Sequence, residues 1–248
     1  MRNQQYPSPV ARIGVFGAAA LALMLATGCG HRRVAYAPPP PPSVAGPRYA
    51  RPNRQYRADE EFVRTHRPIL TETGLASWYG PNYNHHRAAD GAVYNQNQVS
   101  AANRTLPLGS LIKVTNVRTG QWAIMRVTDR GPFVKGRILD LSLAAAKETG
   151  IWLPGVAEVR MDVYSTPEPI GYGGRWCVQI GAFSRKRAAL RLQSRLQRRY
   201  RGAYVIEFHG PTGYWVRINP AHDNRRLAVE IADRLRPSQG SAFLVRLD

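Results

Sequence analysis

The spacing of hydrophobic positions changes several times along the chain, and each change marks an expected element or boundary. Residues 13–26 form an unbroken apolar run of 14 residues, preceded by Arg2 and Arg12. That is too short for a comfortable membrane span and fits the apolar region of a signal peptide. Periodicity then disappears. Residues 30–72 carry five consecutive prolines, Pro38 to Pro42, with more Pro, Arg and Tyr behind them. Such a segment favours extended polyproline II, about 3.1 Å per residue, and cannot bury a core. It is expected to be a disordered tether.

From Gly74 the apolar positions alternate with polar ones. Residues 75–79, 111–117, 122–127 and 157–163 read as strands, with a Thr119-Gly120 turn joining the second and third. Helical spacing occurs once here, over residues 143–147, with Ser142 as N-cap and Gly150 as the stop. Several short strands with one helix predict a small β-barrel.

The last segment, residues 175–248, is internally duplicated. Trp176-Cys177-Val178-Gln179-Ile180 parallels Tyr214-Trp215-Val216-Arg217-Ile218, and each stretch leads into a helical pattern. Ala189, Leu192 and Leu196 share one face of the first helix; Ala228, Ile231 and Leu235 share one face of the second. With strands at 204–208 and 243–247, the order is βαββαβ, a ferredoxin-like split unit. The expected organisation is therefore a signal peptide over 1–28 and a Pro-rich linker over 29–72. A barrel over 73–165, a linker over 166–174 and an α+β domain over 175–248 follow.

Lys and Arg number 35 against 16 Asp and Glu, a formal charge of +19. This charge is compatible with nucleic acid, an anionic membrane or an acidic polymer, although most of these Arg read as solvated surface. The two cysteines, Cys29 and Cys177, exclude a disulfide scaffold and a multi-cysteine zinc site. Cys177 lies within a strand pattern and reads as a small buried residue.

The apolar run ends in Leu25-Ala26-Thr27-Gly28-Cys29, which resembles a bacterial lipobox, although Ala26 stands where Leu is usual. The resemblance implies acylation of Cys29, and Gly30 behind it implies the periplasmic face of the outer membrane. Several acyl chains on one cysteine give stable anchoring. An ordinary secretory signal with a coincidental Cys is the plainer alternative.

Four motifs then follow in order: Gly74-Leu75-Ala76-Ser77-Trp78-Tyr79-Gly80, Ala101-Ala102-Asn103-Arg104-Thr105-Leu106-Pro107-Leu108-Gly109, Asp129-Arg130-Gly131-Pro132-Phe133 and Arg137-Ile138-Leu139-Asp140-Leu141-Ser142. Together they resemble the double-psi β-barrel of the rare lipoprotein A family of septal lytic transglycosylases. Val178-Gln179-Ile180-Gly181-Ala182-Phe183 resembles the signature of a SPOR domain. The resemblance implies a six-stranded double-psi β-barrel followed by a SPOR domain. It also implies a lyase that cleaves MurNAc–GlcNAc bonds in peptide-free glycan, leaves 1,6-anhydroMurNAc ends and is recruited to the division septum. No cofactor or metal is implied; the partners are glycan strands, the membrane through Cys29, and septal proteins.

Such chemistry needs one carboxylic acid that protonates the leaving oxygen and then acts as base. Asp129 stands at the family's catalytic Asp position, at a strand end before a Gly-Pro turn. The other family positions have changed. Ala92 replaces a Glu, Asn95 an Asp and Asn103 a His. Asp90, His85 and His86 are candidates for the vacated roles, and Asn103 can orient a hydroxyl without titrating. The His pair also suggests a metal, but no third ligand accompanies it. Asp140, just ahead of the helix, is expected to support its turn.

Trp78, Tyr79 and Arg130 are the expected sugar-binding residues of the barrel. In the second domain, alternation turns Val178, Ile180, Val216 and Ile218 toward the helices. It leaves Gln179, Trp215 and Arg217 on an open sheet face, flanked by Glu207 and Arg246, for stacking on and hydrogen bonding to sugars. The losses at Ala92, Asn95 and Asn103 support a second reading: a glycan-binding scaffold of the same family without turnover. A basic RNA-binding protein is a third reading, disfavoured by the lipobox and by the missing RNP1 pattern.

Overall fold

The computed structural model describes residues 54–208, 213–235, 237 and 240–248. The expected signal peptide, the lipidation residue Cys29 and the Pro38 to Pro42 run lie outside the described residues.

Helix α1 (Arg54–Thr65) leads into strand β1 (Leu70–Trp78). Strands β2 (Ser100–Ala102), β3 (Leu111–Asn116), β4 (Trp122–Asp129) and β5 (Arg137–Leu141) follow. Helix α2 (Leu143–Glu148) and β6 (Val156–Ser165) complete the first unit. The six strands close in the order β1-β5-β2-β4-β3-β6, with β6 returning to β1. The β1–β5 and β2–β4 pairs are parallel and the rest antiparallel. The inward phase of the strands supplies a fully buried core that includes Ile112, Val114, Leu139, Leu141, Met161 and Val163. Each such side chain contributes about 1.5–3 kcal/mol by leaving water. The expected cap on α2 is present: the Ser142 hydroxyl accepts from the Ala145 N–H at 3.1 Å.

The tether expected through residue 72 is corrected at its end. Residues 54–65 are helical and β1 starts at Leu70, four residues before Gly74. Asp59 on α1 accepts from the Arg126 guanidinium on β4 at 2.6 and 3.1 Å. Proline density upstream masked this, because the 54–65 stretch itself contains no proline. Below α1, burial pushes the Glu148 carboxyl up to about 7.

The second unit runs β7 (Trp176–Phe183), α3 (Lys186–Gln197), β8 (Ala203–Glu207), β9 (Tyr214–Ile218), α4 (Arg225–Arg234) and β10 (Ser241–Arg246). Its sheet is antiparallel, in the order β10-β7-β9-β8, the ferredoxin-like arrangement. Val178, Ile180, Val216 and Ile218 pack with Ala189, Leu192 and Ala228 of the helices, as alternation predicts.

The other face of that sheet is not open. Phe133, in the loop after β4, packs against Trp215 in a tilted arrangement with ring centroids 4.8 Å apart and meets Phe243 edge-on at 5.9 Å. Cys177, Phe243 and Val245 form a small core there with Phe133 and Leu247. Main-chain hydrogen bonds join the two units: Arg246 N–H donates to the Arg104 carbonyl at 2.9 Å, and Leu108 N–H to the Asp248 carbonyl at 3.4 Å. Arg246, expected on the open face, is fully buried and donates to the Pro169 carbonyl at 2.7 Å. Trp215 and Gln179 are each only 3% exposed. Alternation places Gln179, Trp215 and Arg217 on the face away from the helices, but the flanking residues are corrected: Arg246 pairs with Trp176 and Glu207 with Tyr214, both on the helix face. Nor does alternation carry information on what covers a face.

Candidate active site

The Asp129 end of β4 opens into a cavity of about 400 Å³. The barrel contributes Trp78, Tyr79, Tyr83, Asp129, Arg137 and Asp140 to its lining; the second unit contributes Gln179, Ala182, Phe208 and Trp215.

Asp129 is held by three donors. Its Oδ1 accepts from the Ala89 N–H at 2.9 Å and the Arg130 N–H at 2.8 Å, and its Oδ2 accepts from the Tyr79 hydroxyl at 3.1 Å. Burial nevertheless raises its carboxyl above the ordinary carboxylate range. The three hydrogen bonds pull the other way, the charge of Asp90 adds to the rise, and burial wins. A carboxyl so placed keeps a proton at higher pH than a solvated one, as a general acid requires.

Asp140 is corrected from a turn support to a cavity residue. Its Oδ1 accepts from the Ser77 hydroxyl at 2.6 Å, and Arg137 approaches it at 3.5 Å. Burial raises this carboxyl too, against the Ser77 hydrogen bond and the charges of Arg137 and Arg104. Two carboxyls from neighbouring parts of the barrel therefore share one cavity. Strand β2 brings this about, because its Ala102 pairs with Asp129 on one side and with Asp140 on the other. The one signal in the sequence was Asp140 within its motif.

The remaining barrel candidates separate from the cavity. Asn103 is 4% exposed and spends its amide on its own turn. Its Oδ1 accepts from the Thr105 and Leu106 N–H groups at 2.9 and 2.8 Å, and its Nδ2 donates to the Ile138 carbonyl at 3.1 Å. The amide oxygen and one amide N–H are thus engaged within the barrel. Asp90 is exposed and accepts from the Ala92 N–H at 2.9 Å, closing its own turn. It reaches the site as a charge near Asp129, not as a lining group. His85 and His86 lie in the same loop outside the cavity lining; His85 takes a left-handed backbone with φ 67°.

Among the expected sugar contacts, Trp78, Tyr79, Gln179 and Trp215 line the cavity. Arg130 also borders it, but its guanidinium is committed. It donates to the Leu106 carbonyl at 2.6 Å, the Asn103 carbonyl at 3.1 Å and the Asp248 carbonyl. Burial lowers it to about 10. Arg217 lies behind the lining and donates to Gln179 Oε1 at 2.8 Å. Gly181 lets the Trp215 ring close on β7, because a Cβ there would stand 2.7 Å from the ring. Burial raises the Cys177 thiol to about 11, which leaves it inert.

Residues 71–161 match the family model described as lytic transglycolase, and residues 172–246 match the SPOR domain. The two matches cover the barrel and the second unit, and the chain is similar to proteins of the rare lipoprotein A family. The "Probable endolytic peptidoglycan transglycosylase RlpA" of Synechocystis sp. is 51% identical over 90 residues, 36% of this chain and 28% of that protein. The "Endolytic peptidoglycan transglycosylase RlpA" of Vibrio cholerae is 46% identical over 100 residues, 40% and 38% of the two chains. The protein of that name in Campylobacter jejuni is 36% identical over 149 residues, 50% and 54%. The chain thus spans between 28% and 54% of the length of these relatives. The barrel is a six-stranded double-psi barrel and the second unit a SPOR domain, as the sequence motifs implied.

Proposed function

We propose that the chain is an endolytic peptidoglycan transglycosylase acting on peptide-free glycan strands. Asp129 is its acid and base. A buried, proton-retaining carboxyl in a cavity that also holds Asp140 carries this reading. Asp129 gives its proton to the glycosidic oxygen between MurNAc C1 and GlcNAc O4 as that bond breaks. Positive charge builds on the MurNAc ring, and Asp140 in its ionised form is suited to stabilise it. The MurNAc C6 hydroxyl then closes on C1 and returns its proton to Asp129. The substrate brings its own nucleophile, so no water or metal enters the balance. The losses at Ala92, Asn95 and Asn103 are tolerable on this route because none of those positions holds the proton in transit.

Location follows from the sequence. Lipidation at Cys29 anchors the chain to the outer membrane, the Pro-rich stretch spaces it from the bilayer, and the SPOR domain directs it to denuded glycan at the septum. The scaffold reading retains one supporting observation: the Asn103 amide lies outside the cavity lining, its oxygen held by the Thr105 and Leu106 N–H groups and its nitrogen donating to the Ile138 carbonyl.

Digestion of peptide-free strands by residues 29–248 carrying Cys29→Ser decides between the two. New 1,6-anhydroMurNAc ends that vanish in Asp129→Ala establish the enzyme. Strand binding without new ends in either protein leaves the scaffold.

A further inference from the structure

We propose that the SPOR sheet face is a wall of the barrel's own sugar cleft. Gln179 and Trp215 then contact sugars flanking the bond at Asp129, so that the contacts which direct the chain to denuded glycan also position it for cleavage. This inference rests on the reading of the barrel as a glycan site.

Three observations carry it. One cavity has Asp129 and Asp140 on one side and Gln179, Ala182 and Trp215 on the other. Its volume of about 400 Å³ lies within the range of small-ligand sites. The units are also joined as a packed interface and not as beads on a linker. Phe133 sits between Trp215 and Phe243, the Arg104 guanidinium lies 5.5 Å from the Phe243 ring centre, and main-chain hydrogen bonds cross the joint. Finally, the polar chemistry at Gln179 is already directed. Arg217 takes its Oε1, which leaves the amide N–H groups without a partner among the described residues. Those donors suit the carbonyl oxygen of an acetamido group or a ring hydroxyl, and the Trp215 indole contributes to the cavity lining beside them.

The same contacts exclude the alternative geometry. With Phe133 seated on Trp215, a strand cannot lie along the whole sheet. The sugars reach Trp215 and Gln179 through the cleft that also holds Asp129. The substrate segment recognised is therefore a short run of GlcNAc–MurNAc units that spans both domains.

The test is calorimetric binding of a peptide-free GlcNAc–MurNAc tetrasaccharide to the Asp129→Ala protein over residues 29–248 with Cys29→Ser. Gln179→Glu keeps the acceptor for Arg217 and removes the amide donor; it is expected to weaken binding about tenfold. Trp78→Ala on the barrel wall is expected to weaken it at least as much. Phe133→Ser, a change in a half-buried loop residue, opens the joint and is expected to weaken binding about tenfold, while Phe133→Leu retains it. Ala182→Gln places bulk in the cavity from an exposed position and gives the same loss with an unchanged melting temperature. Unchanged or tighter binding by Phe133→Ser, with parent binding intact, overturns the shared cleft and shows an independent sheet site. A parent that binds no tetrasaccharide overturns the glycan reading and this inference with it. Binding that depends on both walls, without anhydro ends in the product assay, supports the shared cleft and removes only the catalysis.

Discussion

The β4–β5 rim of the barrel and the loop over residues 79–99 face the same opening, yet they spend their polar groups in opposite ways. On the rim, Asp129 and Asp140 are half-buried, line the cavity and are raised by burial. In the loop, Asp90 and Asn95 accept from N–H groups two residues on, at Ala92 and Asn97, both at 2.9 Å. The rim carboxyls also draw on distant donors: Asp129 takes the Tyr79 hydroxyl and the Ala89 N–H besides that of its neighbour Arg130, and Asp140 takes the Ser77 hydroxyl. A loop rich in Asn and Asp folds its side chains back onto its backbone. The rim carboxyls are thus held largely by partners far along the chain and line the cleft, whereas the loop groups are held by partners two residues on.

The comparison breaks first at Asp129. Asp129→Asn is expected to lower anhydro-end formation by about 10²–10⁴-fold, the range for a lost general acid, with tetrasaccharide binding retained. A loss no larger than that of a loop variant would assign the proton to another group. Asp140→Asn is expected to cost about 10²-fold in turnover, read as kcat against KM, because it removes a charge that matters most in the transition state.

Glu148 sharpens the argument from outside the cleft. Its carboxyl is also raised by burial, to about 7, against an ordinary value of 4.5. Folding therefore favours its protonated form. The associated stability is full below about pH 4.5 and is lost as pH climbs to about 7. Glu148→Gln is expected to raise stability at pH 8 by about 2 kcal/mol, seen in denaturant midpoints, and to leave turnover unchanged. A change in turnover would tie that buried acid to the site.

Tyr79→Phe is expected to reduce turnover about tenfold by removing one hydrogen bond to a charged group. It also moves the basic limb of the pH–rate profile upward, because that hydrogen bond lowers the Asp129 carboxyl. A limb moving downward would show that Tyr79 does not act through Asp129. The smallest effects belong to the loop: Asp90→Asn and His85→Ala are each expected within about twofold of the parent. Asp90→Asn shifts the limb slightly downward through the lost charge.

Much of this site was legible. Asp129, Trp78, Tyr79, Gln179 and Trp215 were named from motifs and alternation, and all five line the cavity. Asn103 lies outside the cavity lining because a motif records position and not local bonding; its amide oxygen is taken by N–H groups two and three residues on. Arg130 misled for a related reason. Its charge suggested a ligand, while three main-chain carbonyls hold its guanidinium. Helix α1 was missed because proline-rich composition just upstream governed the reading of a stretch that has helical residues of its own.

By itself the sequence determined the strand and helix periods, the Ser142 cap, the duplicated α+β unit and the inward and outward phase of the two central strands of its sheet. These are local properties, set by neighbours within a few residues, and the chain spells them out directly. Only the tertiary structure decided that Asp140 shares a cavity with Asp129, that α1 is held to β4 by Asp59 and Arg126, and that Phe133 covers the SPOR sheet. Those outcomes depend on parallel strand pairing and on contacts between residues tens of positions apart. Such contacts form where burial of apolar surface and satisfaction of polar groups are met together, and no local pattern encodes that condition.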